Sequence, residues 1–276
     1  MTRIRPVLLG AAAGAFLAIA AGAGLFLFNG PEAEAAGEPL PLPPDIPRIA
    51  AGPQYEECLG MLRQDPEGAL SFAEGWEAAQ GGDGARHCGA LALLGMGEPE
   101  KAAERLELLG RNSAGTATAR AAIFSQAVQA WMLANQSGRA FAAATMGLTI
   151  MPGDLDLMLD RAVALGTLGR FADALEDLAR VLEADPERAE AWVFRAASLR
   201  HLDRVDQAST AVDRALKLAP DNAEALLERG ILRQLRGDVR GARADWERTI
   251  EVAPDSAAAD LAQQNLALNE AGPKRR

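Results

Sequence analysis

Two cysteines, Cys58 and Cys88, and two histidines, His87 and His201, are the residues of this chain best suited to chemistry, together with a single tyrosine, Tyr55. Three uses of the first group stand open. Cys58 and Cys88 can close a disulfide, they can join His87 as ligands to a metal, or they can lie buried as two free thiols. The metal set is the poorest of the three, because two of its ligands are adjacent in the chain. No catalytic constellation forms around the rest: there is no HExxH pair, no Gly-x-Ser-x-Gly elbow and no phosphate-cradling glycine loop. His201 follows Arg200, where a solvated or partner-facing imidazole is the plainer reading than a general base. The expectation is a protein that is not an enzyme and holds neither metal nor cofactor.

What must position these residues is set by a period. Pro152, Pro186, Pro220 and Pro254 stand 34 residues apart, and counting back from each gives units that start at Ala121, Leu155, Ala189 and Ala223. Small or slim residues recur at the eighth position (Val128, Ala162, Ala196, Gly230) and the twentieth (Ala140, Ala174, Ala208, Ala242), where two antiparallel helices cross closely. Larger apolar residues recur at the fourth (Phe124, Met158, Trp192, Leu226) and the twenty-eighth (Leu148, Leu182, Leu216, Ile250), as fillers of the core between units. Proline has no N–H and punctuates each unit. A period of this length in helix-forming residues is one helical hairpin, which needs a stacked neighbour to bury its apolar face.

The pattern resembles the tetratricopeptide repeat family, whose motif wants an aromatic at four, small residues at eight, twenty and twenty-seven, and proline at thirty-two. The last three units carry it best: Trp192 stands at four, Trp246 at the aromatic twenty-fourth position, and Asp221 and Asn222 offer capping chemistry after Pro220. The unit from Ala121 has Trp131 at the family's aromatic eleventh position, but Ala144 and Gly147 replace the larger residue at twenty-four and the small side chain at twenty-seven, so its packing is expected to be looser. The resemblance implies an all-α, right-handed solenoid of about five to six hairpins, closed by a polar-faced capping helix within 257–276.

Upstream, residues 54–120 read as degenerate units. Ala90, Leu93, Gly97, Ala102 and Leu106 reproduce a unit starting near Asp83; Ala69, Ala73 and Trp76 reproduce another near Ala50, with extra loop residues expected from Gly110 to Ala119. In this register Cys58 and Cys88 fall on neighbouring parallel helices, and in an oxidising compartment a disulfide between them is expected.

The N-terminal part speaks of location. Residues 1–5 carry Arg3 and Arg5, and 6–28 is a run of 23 residues without a charge, long enough for a membrane anchor and longer than the usual signal core. Ala33-Glu34-Ala35 fits a cleavage site, which keeps a cleaved signal open. The basic start and acidic Glu32, Glu34 and Glu38 place the repeats across the membrane, so the expectation is a single-pass inner-membrane protein facing the periplasm, or a periplasmic one after cleavage. Gly10, Gly14, Ala18 and Gly22 form a small-residue stripe that could pair two copies, although a segment this rich in Ala and Gly shows such stripes by chance. Residues 29–53 form a proline-rich linker, whose Leu40, Leu42, Ile46 and Ile49 could also dock in the protein's own groove.

The net charge of −10 becomes −9 once residues 1–53 are set aside, leaving 25 basic and 34 acidic residues, and no basic face recurs at matching positions. Nucleic acid is therefore not an expected partner. A protein or peptide is. In the resembling family the first helices of successive units line a concave groove through positions two, five, nine, twelve and thirteen. Those positions hold Asp156, Leu159 and Val163; Glu190, Val193, Ala197, Arg200 and His201; and Glu224, Leu227, Ile231 and Gln234. An apolar channel with an acidic edge would suit an extended segment with apolar side chains and some basic character. Equally, the carboxylates could serve their helix dipoles and the apolar residues could pack between helices. The Lys and Asn with which chaperone adaptors of the family clamp a terminal carboxylate are Leu, Val, Ala and Ile here. The resemblance thus implies a non-enzymatic scaffold; among anchored members, envelope and cytochrome c assembly factors are a known class. A self-associating module and a thiol- or metal-dependent domain at Cys58, His87 and Cys88 are the alternatives.

Overall fold

The computed structural model describes residues 48–271, which form thirteen helices and no strand. They pair in order: α1 (Pro53–Met61) with α2 (Pro66–Ala78), α3 (Gly82–Gly95) with α4 (Pro99–Asn112), α5 (Ala117–Leu133) with α6 (Ser137–Ile150), α7 (Leu155–Thr167) with α8 (Phe171–Ala184), α9 (Ala189–His201) with α10 (Val205–Leu218), and α11 (Ala223–Leu235) with α12 (Val239–Val252). A last helix, α13 (Ala257–Ala271), covers the end of the stack. Each helix packs on its predecessor, and α5, α7, α9 and α11 also touch one another in succession, as a solenoid of hairpins requires.

Local chemistry sets the boundaries. Asp154 and Asn222 cap α7 and α11 by accepting from the N–H of Leu157 and Ala225 at 2.9 and 2.7 Å. Each first helix from α3 to α11 closes on a left-handed residue: Gly97, Asn135, Gly169, Asp203 and Gly237 have φ between 57° and 83°. The N–H that follows each one reaches back five residues, from Glu98 to Leu93, Gln136 to Trp131, Arg170 to Leu165, Arg204 to Leu199 and Asp238 to Arg233, at 2.8–2.9 Å. Glycine takes this conformation without steric cost, and Asn and Asp tolerate it best among the others. From Asn135 onward these residues recur every 34 positions, a second beat that fixes where those hairpins turn.

The alanines at the twentieth position are all fully buried, as expected for close crossings. Gly230, at the eighth position, shows how close: a Cβ there would lie 2.3 Å from Nε1 of the buried Trp246. Trp192, expected in the core, is half-buried instead, because its indole N–H turns out to donate to the Pro186 carbonyl at 2.9 Å. The unit from Ala121 is not loose. A Cβ on Gly147 would meet Leu157 Cδ1 at 2.7 Å, so neighbouring side chains already fill the space that the missing methyl left. Nor is there a long loop before it. α4 runs on to Asn112, and α5 starts early at Ala117, capped by the Thr116 hydroxyl.

Buried apolar residues divide into three bodies. The largest runs from Cys58 to Ala197, a second from Val193 to Leu232, and a third from Ala223 to Ala262. Half-buried Leu175 and Trp192 touch both of the first two. Polar pairs tie helices within a unit. Arg161 holds Asp177 with two hydrogen bonds of 2.8 and 2.7 Å, and the same pairing recurs 68 residues on between Arg229 and Asp245.

The expected membrane helix over 6–28, its Gly10, Gly14, Ala18 and Gly22 stripe, and the linker up to residue 47 lie outside the described residues. Among the described residues no helix is long and apolar enough to cross a membrane. The longest, α5, has 17 residues and includes Arg120. At about 1.5 Å per residue it rises about 26 Å, short of a hydrocarbon core of about 30 Å. The single-pass inner-membrane location expected from the sequence is corrected on this finding.

Candidate binding cleft

One cleft of about 290 Å³ is lined by first helices alone. α5 contributes Val128, Gln129 and Met132; α7 contributes Leu159, Asp160 and Val163; α9 contributes Glu190, Val193 and Phe194; and the start of α11 contributes Asn222 and Glu224. Residues eight to twelve of one unit, five to nine of the next and two to six of the third are therefore gathered by the stacking offset into one place. The floor is apolar, since Leu159, Val163, Val193 and Phe194 are buried, while Gln129 and Glu190 are exposed at the mouth.

Of the twelve expected groove residues, Leu159, Val163, Glu190, Val193 and Glu224 line this cleft. The others are placed elsewhere. Asp156 is exposed and accepts from Arg188 at 2.6 Å, tying α7 to the next unit. Ala197 is buried in the largest core. Arg200 is directed inward and donates to Glu228 of α11 at 2.6 Å, with side chains only 12% and 5% exposed. His201 stacks flat on Phe171, ring centroids 4.3 Å apart, and Arg200 donates to its Nε2. Burial, and then the Arg200 charge, push the His201 pKa down to about 4. Leu227 belongs to the third core, half-buried Ile231 packs against it, and Gln234 is exposed.

Asp160 carries the chemistry that the groove positions did not predict. It accepts a hydrogen bond from the Ser125 hydroxyl of the preceding unit at 2.5 Å. Burial pushes its pKa up to about 7; the Ser125 bond works against this, the charges of Asp156 and Asp154 add to it, and Arg188 opposes it. Gln129 and Met132 stand at positions nine and twelve of their unit, so extending the groove rule one unit upstream would have found them. Asp160, at position six, gave no such signal, because its exposure depends on the twist between units.

The cysteine region is structural in its geometry. Cys58 and Cys88 form the expected disulfide, joining α1 to α3. Both thiols are consumed, so the alternative metal set with His87 is not formed, and the described residues contain no cluster of three or more metal-ligating side chains. His87 is fully buried between two partners. Gln126 Oε1, an acceptor, lies 2.6 Å from Nε2, so that nitrogen carries the proton; Nδ1 then accepts from the Tyr55 hydroxyl at 2.7 Å. Burial lowers the His87 pKa to about 4 and raises that of Tyr55 to about 12, so both stay neutral. The three residues link α1, α3 and α5 through hydrogen bonds, and the ring is closed to solvent.

Two family profiles described as tetratricopeptide repeat match the chain, over residues 159–223 and 197–267. No curated protein sequence matches it. Among solved structures, a thermophilic TPR protein of Thermus thermophilus is 17% identical, with a TM-score of 0.56 over 69% of this chain and all of that one. MamA from Desulfovibrio magneticus RS-1 is 17% identical, with a TM-score of 0.53 over 63% of this chain and 97% of that chain. The APC/C hetero-tetramer Cut9–Hcn1 gives 14% identity and a TM-score of 0.60 over 77% of this chain and 42% of that chain. At such identities the likeness is one of fold.

Proposed function

The chain is a tetratricopeptide repeat protein, and on that premise we propose that it is a non-enzymatic scaffold that holds an extended segment of a partner protein in the cleft between α5 and α11. Proteins built of these repeats commonly act as protein-binding scaffolds. The observation that carries the reading is the convergence of four successive first helices on one concavity with a buried apolar floor and a polar mouth. An extended backbone with alternating side chains fits such a channel, since one side chain reaches the floor while its neighbours stay at the rim. Arg200 and His201 contribute indirectly. By pairing with Glu228 and stacking on Phe171 they fix α9 against its neighbours, and α9 supplies three of the lining residues.

The test is site-specific photocrosslinking in cells. Crosslinkers at Gln129 and Glu190, both exposed at the mouth, are expected to capture the same protein, and crosslinkers at Glu176 and Lys217, exposed on second helices, are expected not to. Capture from the second-helix positions only would overturn the proposal.

A further inference from the structure

We infer that the segment held in this cleft is cationic: it carries a Lys or Arg directly beside an apolar residue, the apolar side chain seated on Leu159, Val163 and Val193 and the cation held by Asp160, Glu190 and Glu224. This rests on the binding role proposed for the cleft and names the chemistry of its occupant.

The argument is one of charge left uncompensated. No Lys or Arg lines the cleft, yet three carboxylates do. Elsewhere in the stack, acids near the surface of contact between helices are matched: Asp177 by Arg161, Glu228 by Arg200, and Asp245 by both Arg229 and Arg233. The cleft departs from that habit. Neither Glu190 nor Glu224 has an ion-pair partner among the described residues, and Asp160 has only the neutral hydroxyl of Ser125. Arg188, whose charge acts on Asp160, is already bonded to Asp156.

Helix dipoles account for part of this pattern and not for all of it. Glu190 and Glu224 stand in the first turns of α9 and α11, where a negative charge is favoured. Asp160 lies in the second turn of α7, past the reach of that effect, and is flanked by Asp154 and Asp156 on its own side, by Ser125 and Gln129 from α5, and by Glu190 from α9. Burial raises the cost of keeping Asp160 ionised, the Ser125 bond and Arg188 offset only part of it, and the charges of Asp156 and Asp154 add to it, so that its pKa stands at about 7. An ammonium or guanidinium entering the cleft removes the repulsion and gains charge-assisted hydrogen bonds in a sheltered place. An acidic segment would meet repulsion and an unpaired desolvation cost, so the same geometry selects against it.

A displayed library of random short peptides, panned on the full chain, tests this. Enriched peptides are expected to carry Lys or Arg next to an apolar residue. Replacing that Lys by Gln in a synthetic copy should weaken binding about tenfold or more, the usual scale of a charge-assisted bond. The triple variant Asp160→Asn, Glu190→Gln, Glu224→Gln, checked for an unchanged helical spectrum, should bind the Lys and Gln copies alike. If instead the enriched peptides lack a basic bias, or are acidic, and still lose binding to Gln129→Trp, which fills the mouth from an exposed position, then the cation inference is wrong and the cleft reading stands. If nothing is enriched, or if Gln129→Trp leaves binding untouched, both are wrong.

Discussion

The hydroxyl of Tyr55 donates to Nδ1 of His87 across 2.7 Å, and this bond joins the first helix of the stack to the third inside a dry interior. Tyr55→Phe keeps the ring and removes only the donor. It leaves a buried acceptor unsatisfied, so a loss of about 1–3 kcal/mol is expected. Urea unfolding of the variant against the parent measures it, and an unchanged midpoint would contradict the assigned bond.

Asp160 gives stability an unusual dependence on pH. Its folded pKa, about 7, stands above the value of about 4 expected unfolded, so between the two the folded chain binds more proton. The resulting contribution is full below about pH 4 and is lost as pH rises through about 7. His87, lowered to about 4 in the fold, acts with the opposite sign over much the same window. Asp160→Asn separates them. The variant should gain on the parent from about pH 5 to about pH 8 in paired urea titrations, and a gain in the other direction would mean that Asp160 is ionised without strain.

Reducing the Cys58–Cys88 disulfide, which spans 30 residues, should cost about 3.6 kcal/mol in the chain-entropy picture. A repeat stack couples mainly to its neighbours, so the loss should be local. Amide exchange is expected to quicken in α1 and α2 and to stay unchanged in α9 to α12; uniform quickening would show that the stack unfolds as one.

Glycines at crossings and on open faces should behave oppositely. Gly230→Ala and Gly147→Ala would push a methyl against Trp246 and Leu157, and each is expected to cost about 1–3 kcal/mol. Gly138→Ala, with nothing within 4 Å, should be neutral or stabilise by up to about 1 kcal/mol. Thermal melting of the three variants distinguishes the two outcomes.

Much of this architecture was legible in the residues because spacing carries it. The units predicted to start at Leu155, Ala189 and Ala223 coincide with the first residues of α7, α9 and α11. The start of α5 was missed by a turn, since the proline count looks back from Pro152 and cannot register the Thr116 cap. For the cleft, the apolar residues Leu159, Val163 and Val193 followed from position alone. Asp160 did not, nor did the turning inward of Arg200 toward Glu228, because both depend on which side chain of the adjacent unit lies opposite. A single unit's register contains no such information. The disulfide was readable from two cysteines placed on neighbouring helices; the Tyr55, His87 and Gln126 chain was not, as it spans three units that resemble the repeat least.

The division of the interior into three bodies has a mechanical consequence. Leu159, Val163 and Phe194 belong to or abut the largest body, Val193 belongs to the second, and Asn222 and Glu224 bracket the first residue of the third. A segment lying along the cleft would therefore bridge joints that the hydrophobic interior leaves comparatively thin. It would act as a splint, stiffening the C-terminal half of the rod against bending and fraying, while the end fastened by the cystine is already braced without it.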